Sequence, residues 1–461
     1  MSRPADIVEP PPTLVSALGH LGPGIVLASS IVGSGELIAT TASGAEAGFA
    51  LLWLIVLGCV IKVAAQVEIG RHTLAWGRTP LAAFDRVPGP RLGGRGWIFW
   101  GRAAARRGGD PAGAADAAAR LVEVERLTTA LPQAPDTTIW VLVTALVTAV
   151  LLAAGRYSLI ERLSVVLVGT FTLVTLLALA LLQGHPAWAI SGGDLLRGLV
   201  PAIPPAVGGR SPLATALATF GIIGVGASEL MIYPYWCLEK GYGRAVGPRD
   251  SSPDWARRAR GWLRVMQLDA WTSLAVYTLV TTCFYLLGAA TLGRLGIVPA
   301  GSEMVRTLGA MYAPVFGGWA NRVFLAGAFA VLYSTLFVAA AGNARMVADG
   351  LILAGRIPGD ETARALWTRW VSVAWVAAAA VLALAIREPV TMVLASGFAQ
   401  AMMLAALAVA VLWFRHGAID PRLTPSRAWD LLLWASAAGF LVVGLWTAWQ
   451  KLAPLLAPAA R

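Results

Sequence analysis

Charged residues, histidine and cysteine are scarce in this sequence. Only 13% of the 461 residues are charged, and there are 3 cysteines and 4 histidines. The cysteines form no C-x-x-C pair, which argues against a disulfide framework and against a zinc site. The chain also lacks H-E-x-x-H, G-x-S-x-G and G-x-x-x-x-G-K-[ST], the motifs of zinc proteases, serine hydrolases and ATP-driven proteins. We therefore expect neither an enzyme nor a resident cofactor.

Apolar residues, in contrast, make up 57% of the chain, and the mean hydropathy is +0.68. They fall in blocks of about 20 residues, the length that crosses a hydrocarbon core. The blocks lack the period-2 alternation of barrel strands, so the sequence predicts an all-α membrane protein. The predicted spans are 21–43, 47–70, 137–154, 157–183, 213–236, 266–289, 320–341, 366–386, 389–413 and 430–449.

The positive charges lie mainly between the spans. This pattern explains the net charge of +11 by the positive-inside rule, without a nucleic-acid partner. Residues 1–20 have no basic n-region or cleavage site, and we expect them to form the cytoplasmic tail of a multi-pass protein of the cell (inner) membrane. A weak additional crossing in 97–131 would put every basic segment on the cytoplasmic side; a degenerate segment or a reading-frame error there are the alternatives. The basic segments are 71–95, 156–162, 239–264, 345–369 and 415–427.

Two short motifs repeat in the middle of apolar spans. "IVGSGELI" occupies 31–38 and "GVGASELMI" occupies 224–232, and both contain glycine, serine and a Glu-Leu pair. If 97–131 crosses, five crossings separate the copies and the second is inverted, as in transporters built from two inverted five-helix repeats. The chain then divides into a first repeat at 21–183, a second repeat at 213–413 and an eleventh span at 430–449.

In that architecture the first helix of each repeat is broken at the bilayer midplane, and the substrate lies between the breaks. Glycine weakens a helix by about 1 kcal/mol relative to alanine, and a carboxylate in hydrocarbon costs at least about 2.5 kcal/mol. We therefore expect both motif glutamates to face a hydrated cavity; the alternative is that each lies at a span end and reaches the interface, or binds a neighbouring helix in a structural role. The candidate ion-binding residues are Gly33, Ser34, Gly35, Glu36, Ala227, Ser228 and Glu229, with Glu36 and Glu229 as metal ligands.

Three stretches of the sequence resemble the natural resistance-associated macrophage protein (NRAMP) family of metal-ion transporters. The first two predicted spans, from "GHLGPG" to "ALLWLIVLG", are similar to the first two helices of the family. "GRYSLIERLSVVLVG" at 155–169 resembles the link into its fifth helix, and "AGAFAVLYSTLFVAAAGNARMVADGLI" at 326–352 resembles its eighth helix. The resemblance implies a LeuT-like fold of two inverted five-helix repeats plus an eleventh helix, with the third helix degenerate here. It also implies transport of Mn²⁺, Fe²⁺ or related ions, coupled to protons.

The ligand motifs of the family are replaced in this chain. Where its first helix has Asp-Pro-Gly-Asn, this sequence has Gly-Ser-Gly-Glu at 33–36. Where its sixth helix has Met-Pro-His, this sequence has Ser-Glu-Leu at 228–230. The soft thioether that favours transition metals and the histidine tied to the proton path are therefore missing. The polar glutamine of the tenth helix corresponds to Ser396 or Gln400, and both are candidates.

The residues leave three functions open. We expect a secondary active transporter that moves a divalent metal cation by alternating access but is not a typical Mn/Fe transporter, because carboxylates, hydroxyls and carbonyls suit hard cations. The N–H groups of a Gly-Ser-Gly break would instead hold a small inorganic anion such as bicarbonate, with Na⁺ or H⁺ as coupling ion. A non-transporting membrane sensor or scaffold is the third possibility. The expected partners are the transported ion, the coupling ion (H⁺ or Na⁺) and the lipid bilayer; the oligomeric state stays open.

Overall fold

The computed structural model is helical in the part of the chain that it describes, which confirms the all-α prediction. The described residues are 7–33, 35–88, 137–154, 156–204, 219–221, 223–299, 304–385 and 389–456, with the backbone alone at 137–138, 304–306, 389–399 and 450–456. The helices are α1 (Leu14–Leu18), α2 (Pro23–Ile31), α3 (Gly35–Ala47), α4 (Leu52–Trp76), α5 (Pro80–Phe84), α6 (Thr137–Ala153), α7 (Tyr157–Leu182), α8 (Gly192–Leu199), α9 (Ala227–Lys240), α10 (Tyr242–Val246), α11 (Pro253–Leu287), α12 (Met304–Ala310), α13 (Ala313–Phe316), α14 (Ala320–Leu353), α15 (Glu361–Ala385), α16 (Pro389–His416) and α17 (Arg427–Leu456).

Six described helical stretches are long and apolar enough to cross a membrane, and α2 with α3 makes a seventh if that bent pair is one span. The six contain α4, α7, α11, α14, α15 and α17. Their apolar centres agree with the predicted spans. The weak crossing predicted in 97–131 lies outside the described residues, so the count of eleven crossings stays a prediction.

The basic segment 239–264, which we expected to be a loop, is largely helical. It contains α10 and the first turns of α11. The Ser252 hydroxyl accepts a hydrogen bond from the backbone N–H of Trp255 (3.1 Å), and Pro253 occupies the first helical position. Such a cap and a proline at this position both favour a helix start, which is why α11 begins well before the apolar stretch.

The described parts of the five basic segments lie in contact with one another, and we call this surface the basic face. Ionic contacts occur on this face: the side chains of Arg422 and Arg249 donate hydrogen bonds to the Asp420 carboxylate. These contacts keep the pKa of Asp420 well below its usual range. The contacts between segments include Arg71 with the Leu423 carbonyl, Thr79 with Asp349, Lys240 with Glu161 and Arg249 with Asp420.

The centre of the molecule is formed by α4, α11 and α14, which are mostly buried, whereas α7, α15 and α17 expose much of their apolar surface. Both sequence motifs lie among these central helices. The short helix α2 packs on α11, α7, α9 and α14, and α9 packs on α2 and α4. The fold therefore brings the two motifs into the same interior region.

Candidate functional site

Both repeated motifs contain an interruption of helical structure. In the first motif, α2 ends at Ile31 and α3 begins at Gly35, and the two helix axes differ by 51°. The first six residues of α3 form a π-helical turn, a form that occurs often at functional sites. In the second motif, residues 223–226 are not helical, and Gly224 has a φ of +60°, which a residue with a side chain rarely adopts. Of the glycines that predicted the breaks, Gly224 therefore has a backbone conformation that favours glycine.

The Glu36 carboxylate links the two breaks. It is fully buried in the first turn of α3. Its Oε1 atom accepts a hydrogen bond from the backbone N–H of Gly224 (3.0 Å), and its Oε2 atom accepts one from the N–H of Gly33 (3.4 Å). These are two of the N–H groups that an anion would need, and in this conformation they donate to the protein's own carboxylate.

Glu229 lies in the first turn of α9, directly after the second break. Its carboxylate accepts hydrogen bonds from the hydroxyls of Ser228 (2.8 Å) and Ser30 (3.4 Å). The Ser228 hydroxyl is also 3.3 Å from Oε1 of Gln400. A Cβ atom at Gly226 would collide with Gln400 Oε1 and Glu229 Oε2, so glycine at this position allows the oxygens to approach. Helices α2, α9 and α16 thus each contribute oxygen atoms to one cluster.

Four other predicted site residues either can contribute only backbone atoms to the site or have no described side chain. Gly35 starts the π-helical turn, and Ala227 is the buried first residue of α9, so each can contribute only its backbone. Ser34 lies outside the described residues, and Ser396 is described by its backbone alone. Of the two candidates in the predicted span 389–413, Gln400 is the one whose side chain is described in the cluster.

Lys62 is a residue of this region that the sequence reasoning missed. It is fully buried in α4, and its Nζ atom donates hydrogen bonds to the carbonyls of Phe220 and Ile223, both at 2.6 Å. It lies within electrostatic range of Glu36 and Glu229. A lysine in the middle of the predicted span 47–70 was the available signal, because charged residues inside membrane spans are rare and usually functional.

Asp269 is a second missed residue, and it anchors α2. Its carboxylate accepts hydrogen bonds from the backbone N–H groups of Gly22 (2.9 Å) and Gly24 (2.6 Å), and from the Tyr233 hydroxyl (3.0 Å). A carboxylate at the N-terminus of a helix satisfies free N–H groups and complements the helix dipole. Asp269 therefore fixes the outer end of the first half-helix to α11 and α9.

The candidate ligands of the site are oxygen atoms. Within the part of the chain that the structure describes, no group of three or more His, Cys, Asp or Glu side chains is arranged to hold a metal ion. The three cysteines are free and buried. With Glu36 and Glu229 ionised and Lys62 protonated, the region carries a formal charge of −1. The described side chains of the oxygen cluster, Ser30, Ser228, Glu229 and Gln400, offer a cation hard oxygen ligands.

Comparison with known protein families gives one match. The natural resistance-associated macrophage protein-like family matches residues 24–450. This chain belongs to that family. The match confirms the predicted NRAMP resemblance. Members of the family are multi-pass membrane transporters and not enzymes.

Solved structures show the same fold at low sequence identity. A manganese transporter of Eremococcus coleocola in complex with an aromatic bis-isothiourea substituted compound is 18% identical, with a TM-score of 0.72 over 98% of this chain and 91% of that chain. A nucleobase-cation-symport-1 family transporter in a closed conformation with bromovinylhydantoin bound is 14% identical, with a TM-score of 0.54 over 99% of this chain and 98% of that chain. These likenesses concern the fold alone and confirm the LeuT-like architecture. No curated protein matched the chain.

This NRAMP-family chain has the family fold, with polar side chains at the two breaks. In the second motif, Ser228 and Glu229 both belong to the oxygen cluster. The first motif supplies Glu36, which binds backbone N–H groups of both breaks. Among the described residues of the two motifs, Glu36, Ser228 and Glu229 each have a hydrogen-bond partner.

Proposed function

We propose that this chain is a secondary active transporter of a hard divalent metal cation, which binds at the oxygen cluster between the two breaks. One observation carries the proposal: Ser30, Ser228, Glu229 and Gln400, from three different helices, bring side-chain oxygens together beside the interrupted backbone. Family membership supports transport of a metal ion. Interrupted helices near the midplane are the usual location of substrate in transporters of this architecture.

In this proposal the two glutamates have different roles. Glu229 binds the cation directly, because both of its oxygens face hydroxyl groups that can rotate to present lone pairs. Glu36 supplies negative charge and holds the breaks together through Gly33 and Gly224. Alternating access would then require the Glu36 contacts between the repeats to change as the two halves move.

The chemistry of the ligands favours Mg²⁺ or Ca²⁺ over Mn²⁺ or Fe²⁺. Carboxylate, hydroxyl and amide oxygens are hard ligands, which suit Mg²⁺ and Ca²⁺. The methionine and histidine of the family motif are replaced by Ser228 and Leu230. High-affinity selection of Mn²⁺ or Fe²⁺ over the more abundant hard cations therefore lacks a chemical basis at this site.

Two observations support a cation over the anion alternative. The N–H groups of Gly33 and Gly224 donate to Glu36, so an anion would have to displace a carboxylate from them. With Glu36 and Glu229 ionised and Lys62 protonated, the region would also have a formal charge of −1, which would repel an anion such as bicarbonate. The sensor or scaffold alternative has no comparable support from a described contact.

Flux into proteoliposomes tests the proposal. The purified full-length chain is reconstituted, and uptake of Mg²⁺, Ca²⁺, Mn²⁺ and bicarbonate is measured with and without a Na⁺ or proton gradient. We expect saturable uptake of Mg²⁺ or Ca²⁺ that a gradient accelerates. Uptake of bicarbonate alone would establish the anion alternative, and absence of any uptake by folded protein would favour the sensor or scaffold.

A further inference from the structure

Helix α1 has an exposed apolar face. The side chains of Leu14, Val15 and Leu18 are 75%, 79% and 56% exposed, whereas Ala17 is buried against the core. On a helix of 3.6 residues per turn, the three exposed side chains lie within about 100° of one another. Leu18 also lies just before the predicted span 21–43. An apolar patch at this position is unfavourable in water and favourable against acyl chains.

The chain on both sides of α1 is attached to the basic segment 239–264. Before the helix, the Val8 carbonyl accepts a hydrogen bond from the Trp262 indole N–H (2.9 Å). After the helix, the His20 carbonyl accepts a hydrogen bond from the Tyr242 hydroxyl (2.8 Å). These contacts place α1 beside the basic face.

Three exposed arginines, Arg257, Arg260 and Arg264, lie at the start of α11. Arg257 forms ion pairs with Glu9 and Asp254. Among the described residues, the other two have no carboxylate partner, and Arg260 donates to a carbonyl of its own helix. Arg260 and Arg264 are four residues apart, so their like charges are neighbours on the helix surface and repel each other. We call these two residues the arginine pair, and an anion between them would relieve the repulsion.

The segment that leads into α1 passes the arginine pair. The Pro10 ring lies so close to Gly261 that a Cβ atom at this glycine would collide with it. Gly261 directly follows Arg260 and precedes Arg264 by three residues, so it neighbours Arg264 on the surface of α11. The exposed face of α1 and the arginine pair therefore belong to one continuous region of the surface.

The depth of the arginine pair matches the headgroup region of a bilayer. Arg264 and Arg260 precede the predicted span 266–289 by two and six residues, which correspond to about 3 Å and 9 Å along a helix. The polar region of one leaflet is about 5–8 Å thick. Trp271, seven residues after Arg264 on the same side of α11, is exposed within the predicted span. This side of α11 therefore continues from the headgroup region into the acyl region.

We propose that the arginine pair and α1 together bind an anionic phospholipid of the leaflet next to the basic face. The lipid phosphate lies between the guanidinium groups of Arg260 and Arg264, because guanidinium donors match phosphate oxygens. An acyl chain covers the apolar face of α1. A soluble phosphate would satisfy the arginines but leave α1 exposed, so the combination favours a lipid. This inference does not depend on the proposed function or on which ion is transported.

Thermal unfolding of the purified full-length protein in detergent tests the lipid site. The melting temperature is measured with increasing phosphatidylglycerol, with phosphatidylcholine of the same acyl chains, and with glycerol 3-phosphate as a soluble headgroup analogue. We expect saturable stabilisation by phosphatidylglycerol alone, and less of it at high ionic strength. Arg260→Gln and Arg264→Gln should each raise the half-saturating phosphatidylglycerol concentration about fivefold. Leu14→Ser should raise it about threefold or more, because it removes apolar contact area.

Two further variants separate loss of the lipid site from general damage. Arg264→Lys keeps the positive charge and should keep most of the response to phosphatidylglycerol. Arg322→Gln is the matched control, because Arg322 is an exposed arginine over the Trp319 ring at the start of α14, the end away from the basic face. It should respond like wild type.

Four results would overturn the proposal. Phosphatidylcholine that stabilises as much as phosphatidylglycerol would show that the headgroup is not recognised. Equal stabilisation by glycerol 3-phosphate would indicate a site for soluble anions. A wild-type response of both Arg260→Gln and Arg264→Gln would place the lipid elsewhere. A dimer that dissociates in Leu14→Ser, without any response to phosphatidylglycerol, would assign the face of α1 to a second copy of this chain.

Discussion

At the scale of single residues, the chain satisfies the backbone groups freed at its two breaks with charged side chains of its own. Glu36 accepts from two N–H groups, and Lys62 donates to two carbonyls. An unpaired buried backbone group costs about as much as a lost hydrogen bond, so these two ionic side chains stabilise the interruption of both helices. A protonated Lys62 also offsets part of the negative charge of the Glu36 and Glu229 carboxylates.

Glu229 provides the most direct test of the oxygen cluster. Glu229→Gln replaces a charged oxygen ligand with a neutral amide of the same shape, and we expect cation flux in proteoliposomes to fall by roughly tenfold or more. Glu9→Gln, an exposed glutamate that pairs with Arg257 on the surface, is the matched control and should transport like wild type. Wild-type flux in a well-folded Glu229→Gln protein would show that Glu229 does not bind the cation.

Lys62 tests the electrostatic balance of the site. Lys62→Gln removes the positive charge but keeps an amide donor for a backbone carbonyl. Because Glu36 and Glu229 would then face no compensating cation, we expect the KM for the transported divalent cation to fall roughly fivefold. Lys240→Gln, which removes a lysine of the basic face, should leave the KM unchanged. A KM that is unchanged or raised in Lys62→Gln would indicate that Lys62 has only a structural role.

At the scale of elements, the oxygen cluster at the second break depends on Gly226, which has no side chain to obstruct the ligand oxygens. A side chain at Gly226 would displace Gln400 and Glu229 from the cluster. We therefore expect Gly226→Ala to abolish most cation flux while the protein still inserts into the membrane and elutes as a single species. Gly169→Ala in α7 is the control, because no atom would contact the added methyl group. Normal flux in Gly226→Ala would contradict the close approach of these oxygens.

The breaks also show how much of an element the sequence can predict. Glycine, serine and glutamate in the middle of an apolar span predicted an interruption in each repeat, because glycine disfavours helix locally. Helix α11 begins before the predicted span 266–289, because the length of an apolar run gives no information about the cap at Ser252. The choice between Ser396 and Gln400 also stayed open, because helical register against a neighbour is a tertiary property.

At the scale of the whole molecule, the basic face supports an odd number of crossings. The end of α4 and the beginning of α7 both contribute to this face, through Arg71 and Glu161. We predict eleven crossings, which place the C-terminus on the side of the membrane opposite to the N-terminus. Alkaline phosphatase fused to the C-terminus should be active, and green fluorescent protein fused there should be dark. The reverse pair of results would contradict a crossing in 97–131.

The sequence by itself determined the class of molecule, the positions of its apolar spans and the two motifs that interrupt them. These follow from length, hydropathy and local glycine content, which are properties of short segments. Only the tertiary structure decided that Glu36 meets Gly224, 188 residues away, that Lys62 occupies two freed carbonyls, and that Asp269 anchors α2. The physical reason is that a hydrogen bond depends on distances of a few tenths of an ångström, and packing of distant segments sets those distances.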